Sequence, residues 1–253
     1  MIDNVSEKKI LVVSGHGADW CTRSGGTLIK YIQAGAEVTV FVLTFGERGE
    51  SPEYWLSNPN STIEECKQTR KAEAQAAADY LGIHNIEFFD YDDYPLFINA
   101  EQIKDLTRRI LDIRPDIILT HSPGDPLNVD HEETYKMTIR AMSSAAMLGA
   151  LPNTPAHFVP DLFTFESSLP HCEFNNFKMD TYVDITSVMD KKLKAIACFK
   201  AQPHLGDYYI RCGARRGEQA TNWLRGRGKI EYAEAFNRFT PYVGILLPTT
   251  EWK

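Results

Sequence analysis

The sequence has 253 residues, 43% of them hydrophobic and 24% charged, which is the composition of a globular protein with a large buried core. This composition excludes a disordered chain, a collagen rod and a coiled coil, and no run approaches the ~18 apolar residues of a membrane-spanning helix. The net charge of −7 argues against nucleic acid or an anionic membrane as the main partner.

Short apolar runs alternate with longer segments along the first half of the chain, which predicts strands alternating with helices. Four buried strands are predicted, over residues 8–15, 36–45, 85–90 and 116–121. The first predicted helix covers residues 25–35, with Ser24 as its N-cap and Gly35 at its end. Residues 46–61 have the composition of a long loop.

Local capping patterns mark two further helices. Ser61 and Glu64 form a capping-box pattern at the start of a helix that runs to Gly82. Asn99 is the predicted N-cap of a helix over residues 100–114. These caps place one helix before the third predicted strand and one before the fourth.

The remaining elements lie in the second half of the chain. A helix is predicted over residues 131–150 and another over 187–202, and strands are predicted over 161–166 and 181–185. We interpret the chain as one domain, residues 1–253, with an elaborated C-terminal part that begins at about residue 150.

Strands that alternate with helices form right-handed crossovers, which produce a mostly parallel sheet covered by helices. We therefore predict an α/β, Rossmann-like fold with strand order 3-2-1-4-5 and helices on both faces of the sheet. Ligands of such sheets bind beyond the carboxyl ends of the strands, where the strand order reverses. In the predicted order, the first and fourth strands are neighbours at that point.

The loops after these two strands carry candidate metal ligands. His16 and Asp19 follow the first strand, and His131 opens the helix after the fourth. Two imidazoles and one carboxylate, with a further position open, match the ligand set of a catalytic Zn²⁺ site. Each residue also has an ordinary interpretation, because loop histidines commonly form hydrogen bonds and Asp130-His131 suits a helix N-terminus. The sequence assigns no role to His121.

Several other sites are excluded or disfavoured by their motifs. Gly15-His16-Gly17 begins a G-x-G pattern, but Trp20 occupies the place of the third glycine, which disfavours a nicotinamide cofactor. The chain has no G-x-x-x-x-G-K-[ST] loop, no H-E-x-x-H helix and no G-x-S-x-G elbow. A P-loop, a thermolysin-like zinc helix and a serine nucleophile elbow are therefore excluded.

The loop after the second predicted strand, Gly46-Glu47-Arg48-Gly49-Glu50, brings two carboxylates and a guanidinium to the same edge of the sheet. Glu50 or Glu47 is a candidate general acid/base. Arg48 is a candidate to bind a substrate carboxylate through two parallel hydrogen bonds. A solvated polar loop is the alternative interpretation.

At these loops the sequence resembles the PIG-L/LmbE superfamily of zinc-dependent de-N-acetylases. His16-Gly17-Ala18-Asp19-Trp20 is similar to the family pattern H-P-D-D-E, and residues 46–50 resemble a G-E-x-G-E stretch. The block that ends at His131 resembles H-x-D-H. The resemblance implies that His16, Asp19 and His131 hold a Zn²⁺ cofactor.

Two departures from the deacetylase pattern change the expected chemistry. The general-base aspartate of the deacetylases is Ala18 here, and the first histidine of H-x-D-H is Asn128. A methyl group cannot accept a proton, so standard deacetylation is expected to be crippled. One branch of the superfamily, the 4-oxalomesaconate (4-carboxy-2-hydroxymuconate) hydratases, shows the same departure at the position of Ala18.

Blocks spread over most of the chain resemble that hydratase branch; they are VVSGHGADW, FGERGES, FFDYDDYP, THSPGDPLNVDH and DITSVMDKK. The resemblance implies a lyase of gallate and protocatechuate 4,5-cleavage, an aromatic catabolism, which adds water across a C=C bond with Zn²⁺ and with Glu50 as the catalytic carboxylate. Its tricarboxylate substrate requires polar and cationic partners. The candidate substrate-binding residues are Arg23, Arg48, Asn128, Arg215 and Arg216, with Arg211 in the same basic run.

Two other functions stay open at this point. One is a zinc-dependent de-N-acetylase of an amino sugar or related amide, with Glu50 or a later histidine in place of the missing base. The other is a binding module that keeps the fold and the metal without turnover. In each case we expect a small-molecule ligand, no nucleic-acid or membrane partner, and a homo-oligomer. Five scattered cysteines, with no C-x-x-C pair, favour the reducing cytoplasm.

Overall fold

The computed structural model describes residues 5–167 and 176–248. Within them, a seven-stranded sheet has the order β3-β2-β1-β4-β5-β7-β6. The strands are β1 Lys9–Ser14, β2 Glu37–Val42, β3 Asn85–Phe88, β4 Ile117–Thr120, β5 Asp161–Phe165, β6 Thr181–Asp184 and β7 Ala233–Arg238. The first five strands pair in parallel, which confirms the predicted fold and the order 3-2-1-4-5. β7 adds to β5 in the antiparallel direction, and β6 pairs with β7.

Seven α-helices accompany this sheet in the described part of the chain. They are α1 Asp19–Gln33, α2 Pro52–Ser57, α3 Ile63–Leu81, α4 Ala100–Ile113, α5 Val129–Ala145, α6 Met189–Ile196 and α7 Leu205–Leu224. Alternate residues of a strand point to opposite faces of the sheet, so β1 supplies Val12 to one apolar core and Leu11 to the other. α1, α3, α6 and α7 contribute to the first core, and α4 and α5 cover the second.

Four predicted helix starts are wrong: α1 begins before residue 25, α5 begins before residue 131, α3 begins after residue 62 and α6 begins after residue 187. α1 begins at Asp19, directly after the turn that follows β1, and the Asp19 carboxylate accepts the His16 N–H of that turn at 2.9 Å. Ser24 therefore lies inside the helix, where its hydroxyl donates to the Trp20 carbonyl. The capping box before α3 is formed by Thr62 and Glu65, one residue later than predicted.

Other helix ends agree with their predictions. Asn99 caps α4 by accepting the N–H groups of Glu101 and Gln102. Gly82 ends α3 with a φ of +85°, a left-handed conformation that glycine adopts without strain. The predicted long loop contains the short helix α2, and α6 is shorter than the predicted helix over 187–202. The described residues contain no helix that is both long and apolar enough to cross a membrane.

The C-terminal elements α7 and β7 were not among the predicted ones, although they complete the first core. α7 packs against the segment that leads into β7 at Gly217. A Cβ at Gly217 would lie 2.4 Å from the carbonyl oxygen of Glu231, so only glycine allows this approach. This backbone approach lets α7 pack closely beside β7.

Replacing Gly217 by Ala should lower the free energy of unfolding by about 1–3 kcal/mol, because backbone atoms of Glu231 must move. At Gly206 on the same helix, an added Cβ would meet no atom within 4 Å, so Gly206→Ala is the matched control. That control should be neutral or stabilising by up to about 1 kcal/mol. Urea denaturation followed by circular dichroism measures both, and equal midpoints for the two variants would contradict the packing argument.

Candidate functional site

Four potential metal ligands meet beyond the carboxyl ends of β1, β2 and β4. His16 lies in the turn after β1, Asp19 opens α1, Glu50 lies in the loop after β2, and His131 lies in the first turn of α5. One ligand atom from each side chain lies within 4.8 Å of the other three. The structure thus brings together the three predicted metal ligands and one of the two predicted catalytic carboxylates.

The distances between these atoms suit the ligand shell of a small divalent cation. Asp19 Oδ2 lies 3.1 Å from His16 Nδ1 and 3.3 Å from His131 Nε2. Glu50 Oε1 lies 3.3 Å from His16 Nδ1 and 3.8 Å from His131 Nε2. Ligand atoms in a tetrahedral shell of about 2.1 Å radius are separated by about 3.4 Å. The donor set therefore fits such an ion without rearrangement.

His131 carries a buried nitrogen that no hydrogen bond satisfies. Its Nδ1 lies 2.9 Å from Asp125 Oδ2, and Nε2 is buried without a hydrogen-bond partner. Burial raises the pKa of Asp125, but His131 outweighs this effect and lowers it, so Asp125 is a carboxylate. Nδ1 must then donate to Asp125, which leaves the lone pair of Nε2 directed at the group of four. A carboxylate behind a histidine in this way is typical of metal sites.

His16 has a similar carboxylate behind it. Its Nε2 lies 3.3 Å from Asp130 Oδ2, while Nδ1 faces Asp19 and Glu50. Burial alone lowers the pKa of His16, but the surrounding carboxylates of Glu50, Asp130 and Asp19 hold it well above its ordinary value. Burial raises the pKa of Asp19, but the imidazoles of His131 and His16 hold it well below its usual range. The group is therefore rich in negative charge, as a cation-binding site requires.

His121 is a residue of the site that the sequence did not assign. It follows β4 directly, stacks on the His131 ring at 4.0 Å between centroids, and lies 3.4 Å from Asp19 Oδ2. Its Nε2 accepts the Gly15 N–H at 2.9 Å. Burial and the neighbouring His131 lower the pKa of His121 well below its ordinary value, so the ring is neutral. Its place at the end of β4 was the available signal.

The loop after β2 separates its charged residues. The Glu47 side chain is buried away from the group of four, with Oε1 accepting from Arg48 at 3.0 Å, and burial raises the pKa of Glu47. The Arg48 guanidinium contacts Glu47, Asp92 and Asp93. Asp93 also accepts the backbone N–H groups of Arg48 and Gly49, and it thereby fixes the loop that presents Glu50.

The remaining predicted substrate-binding residues lie at different distances from the group. Arg23 is buried, and its Nε donates to Asp19 Oδ1 at 3.3 Å while a terminal nitrogen donates to the Glu166 carbonyl at 2.6 Å. Arg216 is buried and pairs with the Glu166 carboxylate, whereas Arg215 is exposed on α7. The Asn128 amide donates to Glu50 Oε1 at 3.0 Å.

Comparison with known proteins gives the same relatives by sequence and by structure. The chain is 37% identical to the 4-oxalomesaconate hydratase of Pseudomonas putida over 95% of this chain and 92% of that protein. It superimposes on the crystal structure of GalB, the 4-carboxy-2-hydroxymuconate hydratase from Pseudomonas putida, with a TM-score of 0.89, 36% identity, and coverage of 96% and 100% of the two chains.

More distant relatives are deacetylases. The diacetylchitobiose deacetylase of Thermococcus kodakarensis is 27% identical over 77% of this chain and 70% of that protein. The N,N'-diacetylchitobiose deacetylase structure from Pyrococcus horikoshii shares the fold, with a TM-score of 0.76 at 24% identity over 93% and 87% of the chains. The sequence profile of PIG-L, GlcNAc-PI de-N-acetylase, matches residues 11–142, more than half of the chain. With this match and the hydratase relative, the chain belongs to the PIG-L family.

Proposed function

We propose that this protein is a metal-dependent hydro-lyase that adds water to 4-oxalomesaconate, also called 4-carboxy-2-hydroxymuconate. The similarity to the two hydratase relatives over nearly the whole chain supports this proposal. The observation that carries it within the site is the side chain at position 18. Ala18 is 3% exposed and belongs to the apolar core, so the site offers no carboxylate where the deacetylases of the family keep their general base.

The cofactor in this proposal is Zn²⁺ held by His16, Asp19 and His131. Two nitrogen donors and a carboxylate are ligands that zinc favours, and the unsatisfied Nε2 of His131 supports their assignment. When bound, the ion supplies Lewis-acid stabilisation of the negative charge that develops on a keto-acid substrate. Arg23 holds Oδ1 of Asp19 at 3.3 Å, so the other oxygen, Oδ2, stays directed at the two histidines.

Glu50 is the carboxylate that is placed to move a proton. Its side chain is 14% exposed, whereas those of His16, Asp19 and His131 are 0%, 6% and 3% exposed. Glu50 thus lies on the outer side of the group, where a substrate enters. Asn128 donates to Glu50 Oε1, which fixes the orientation of the carboxylate while Oε2 stays available. Hydration needs proton transfer between water and a substrate carbon, and a positioned carboxylate performs it.

The polycarboxylate substrate requires directional donors. Arg23 is the buried guanidinium beside Asp19, and we retain it as a substrate-binding candidate together with Asn128. Arg48, Arg215 and Arg216 stay predictions, and the contacts of Arg48 with three carboxylates and of Arg216 with Glu166 favour positioning roles for these two.

Two further expectations also stay proposals: a cytoplasmic location and a homo-oligomer. Support for the homo-oligomer comes from residues 243–247 near the end of the described chain. Val243, Ile245 and Leu247 are each at least 88% exposed, and exposed apolar runs of this kind commonly mark protein contacts. A second copy of the chain is the partner that the proposal assigns to this run.

A paired activity assay tests the proposed reaction. The purified protein should consume 4-carboxy-2-hydroxymuconate, measured as loss of its conjugated absorbance, and should release no acetate from an N-acetylglucosamine derivative. The reason is that Ala18 removes the base that amide hydrolysis needs, while Glu50 remains for hydration. Amide hydrolysis without hydration would overturn the proposal in favour of the deacetylase alternative.

Removal of one ligand should remove the metal. His131→Ala should abolish stoichiometric metal binding, as measured by mass spectrometry of the dialysed protein, because it deletes the unsatisfied nitrogen of the site. Asp125→Ala deletes only the carboxylate behind His131 and should weaken metal affinity about 10- to 100-fold. The control is His84→Ala, at an exposed position before β3, which should retain the metal. Full metal content in His131→Ala would refute the assignment.

The role of Glu50 is tested by an isosteric change. Glu50→Gln keeps the shape and removes the titrating proton, so kcat should fall about 10²- to 10⁴-fold while the fold is retained. Glu47→Gln should lose less, because Glu47 points away from the group of four. Glu53→Gln, at an exposed position of α2, is the control and should behave as the wild type. A near wild-type rate in Glu50→Gln would show that another group moves the proton.

A further inference from the structure

We propose that the hydroxyl group of Tyr94 binds the substrate, as a hydrogen-bond donor to one of its carboxylate groups at the outer side of the metal-binding group. This inference rests on the proposed function and assigns it a substrate-recognition residue. Tyr94 lies in the loop between β3 and α4, which neither the predicted site nor the metal-ligand group includes.

The Tyr94 ring lies beside one of the proposed metal ligands, His16. Its centroid is 5.9 Å from that of the His16 imidazole, at an interplanar angle of 30°. The ring also packs directly against Gly49, because a Cβ at that glycine would lie 2.0 Å from two ring carbons. The ring therefore fills the space between a proposed metal ligand and the residue that precedes Glu50. Only a glycine at position 49 leaves that space for it.

The Tyr94 phenol lies among the negative charges of the site. Burial raises the pKa of Tyr94, and the negative charges of Glu50, Asp130 and Asp19 raise it further, in that order, with a smaller effect from Asp93. The position of the ring beside His16 and Gly49 brings the phenol close to these carboxylates. At neutral pH the phenol is protonated and offers an O–H donor.

The backbone around Tyr94 is held on both sides by buried carboxylates. Asp130 accepts the N–H groups of Tyr94 and Leu96, each at 2.8 Å, while its Oδ2 also lies 3.3 Å from His16 Nε2. Asp93 accepts the N–H of Gly49 at 2.9 Å. The position of the Tyr94 ring is therefore tied to that of His16 and to that of the loop carrying Glu50. A donor held in this way is preorganised for binding.

Exposure and charge indicate what the hydroxyl group binds. Tyr94 is 38% exposed, whereas the side chains of the metal-binding group are mostly buried, so Tyr94 lies at the outside of that group. The region carries several negative charges, from Glu50, Asp19, Asp125 and Asp130. An anionic group of the substrate therefore needs favourable partners there, and a metal ion and a neutral O–H donor are such partners. A substrate with three carboxylate groups extends beyond the metal and reaches this outer position.

The test is Tyr94→Phe, which deletes the hydroxyl and keeps the ring over Gly49. The matched control is Tyr91→Phe in the same loop, because the Tyr91 ring packs on Phe89 against the second apolar core. Hydratase kinetics, metal content and thermal stability are measured for both variants and the wild type. Calorimetric binding of tricarballylate, a tricarboxylate that needs no turnover, is measured in parallel.

Tyr94→Phe should lower kcat/KM and tricarballylate affinity about 10- to 100-fold, as loss of a hydrogen bond to a charged group does, with metal content and stability unchanged. Tyr91→Phe should match the wild type. Unchanged kinetics and unchanged tricarballylate binding in Tyr94→Phe would overturn the inference, as would a loss explained by lost metal or lost stability. If the wild type itself does not hydrate the muconate, the proposed function fails, and the tricarballylate comparison still decides whether Tyr94 binds a tricarboxylate.

Discussion

The rest of the site depends on the contacts of the Asp19 carboxylate. Oδ2 accepts the His16 N–H in the turn between β1 and α1. The same oxygen lies within 3.4 Å of three imidazoles. Oδ1 faces the Arg23 guanidinium one helical turn later. One buried side chain at the start of a helix therefore gathers the donors of a metal site. The same chemistry that makes burial of this carboxylate costly makes it a strong cation ligand.

Three further aspartates hold the loops around this centre. Asp125 orients His131, Asp130 contacts His16 and holds the loop that carries Tyr94, and Asp93 holds the loop that carries Glu50. Each carboxylate accepts hydrogen bonds from its own loop or from another one. Together these contacts connect the segments that follow β1, β2, β3 and β4. Because burial of an unpaired carboxylate is unfavourable, each of these loops is fixed by the requirement to satisfy it.

The sequence was sufficient for the parts of the structure that local patterns determine. Apolar runs and caps such as Asn99 gave the five parallel strands, their order and most of the helices. The placement of His16, Asp19 and His131 at neighbouring strand ends followed from that order. The antiparallel addition of β7 did not, because β7 pairs with β5 across a long stretch of chain and no local pattern encodes that pairing. The contacts of Arg48 were not predicted either, because Asp92 and Asp93 belong to another loop.

The change at position 18 has a consequence for how a single fold supports two chemistries. In the deacetylase pattern, the base lies between the two metal ligands of the first loop, so proton transfer and metal binding share one turn. Here that place is a buried methyl group, and the carboxylate that completes the group of four belongs to Glu50 on another loop. In the proposed function, the proton-transfer group therefore comes from the loop after β2 instead of the turn after β1. A carboxylate at this more exposed place would suit proton transfer at a substrate carbon, whereas a base between the ligands His16 and Asp19 would suit activation of water for amide hydrolysis.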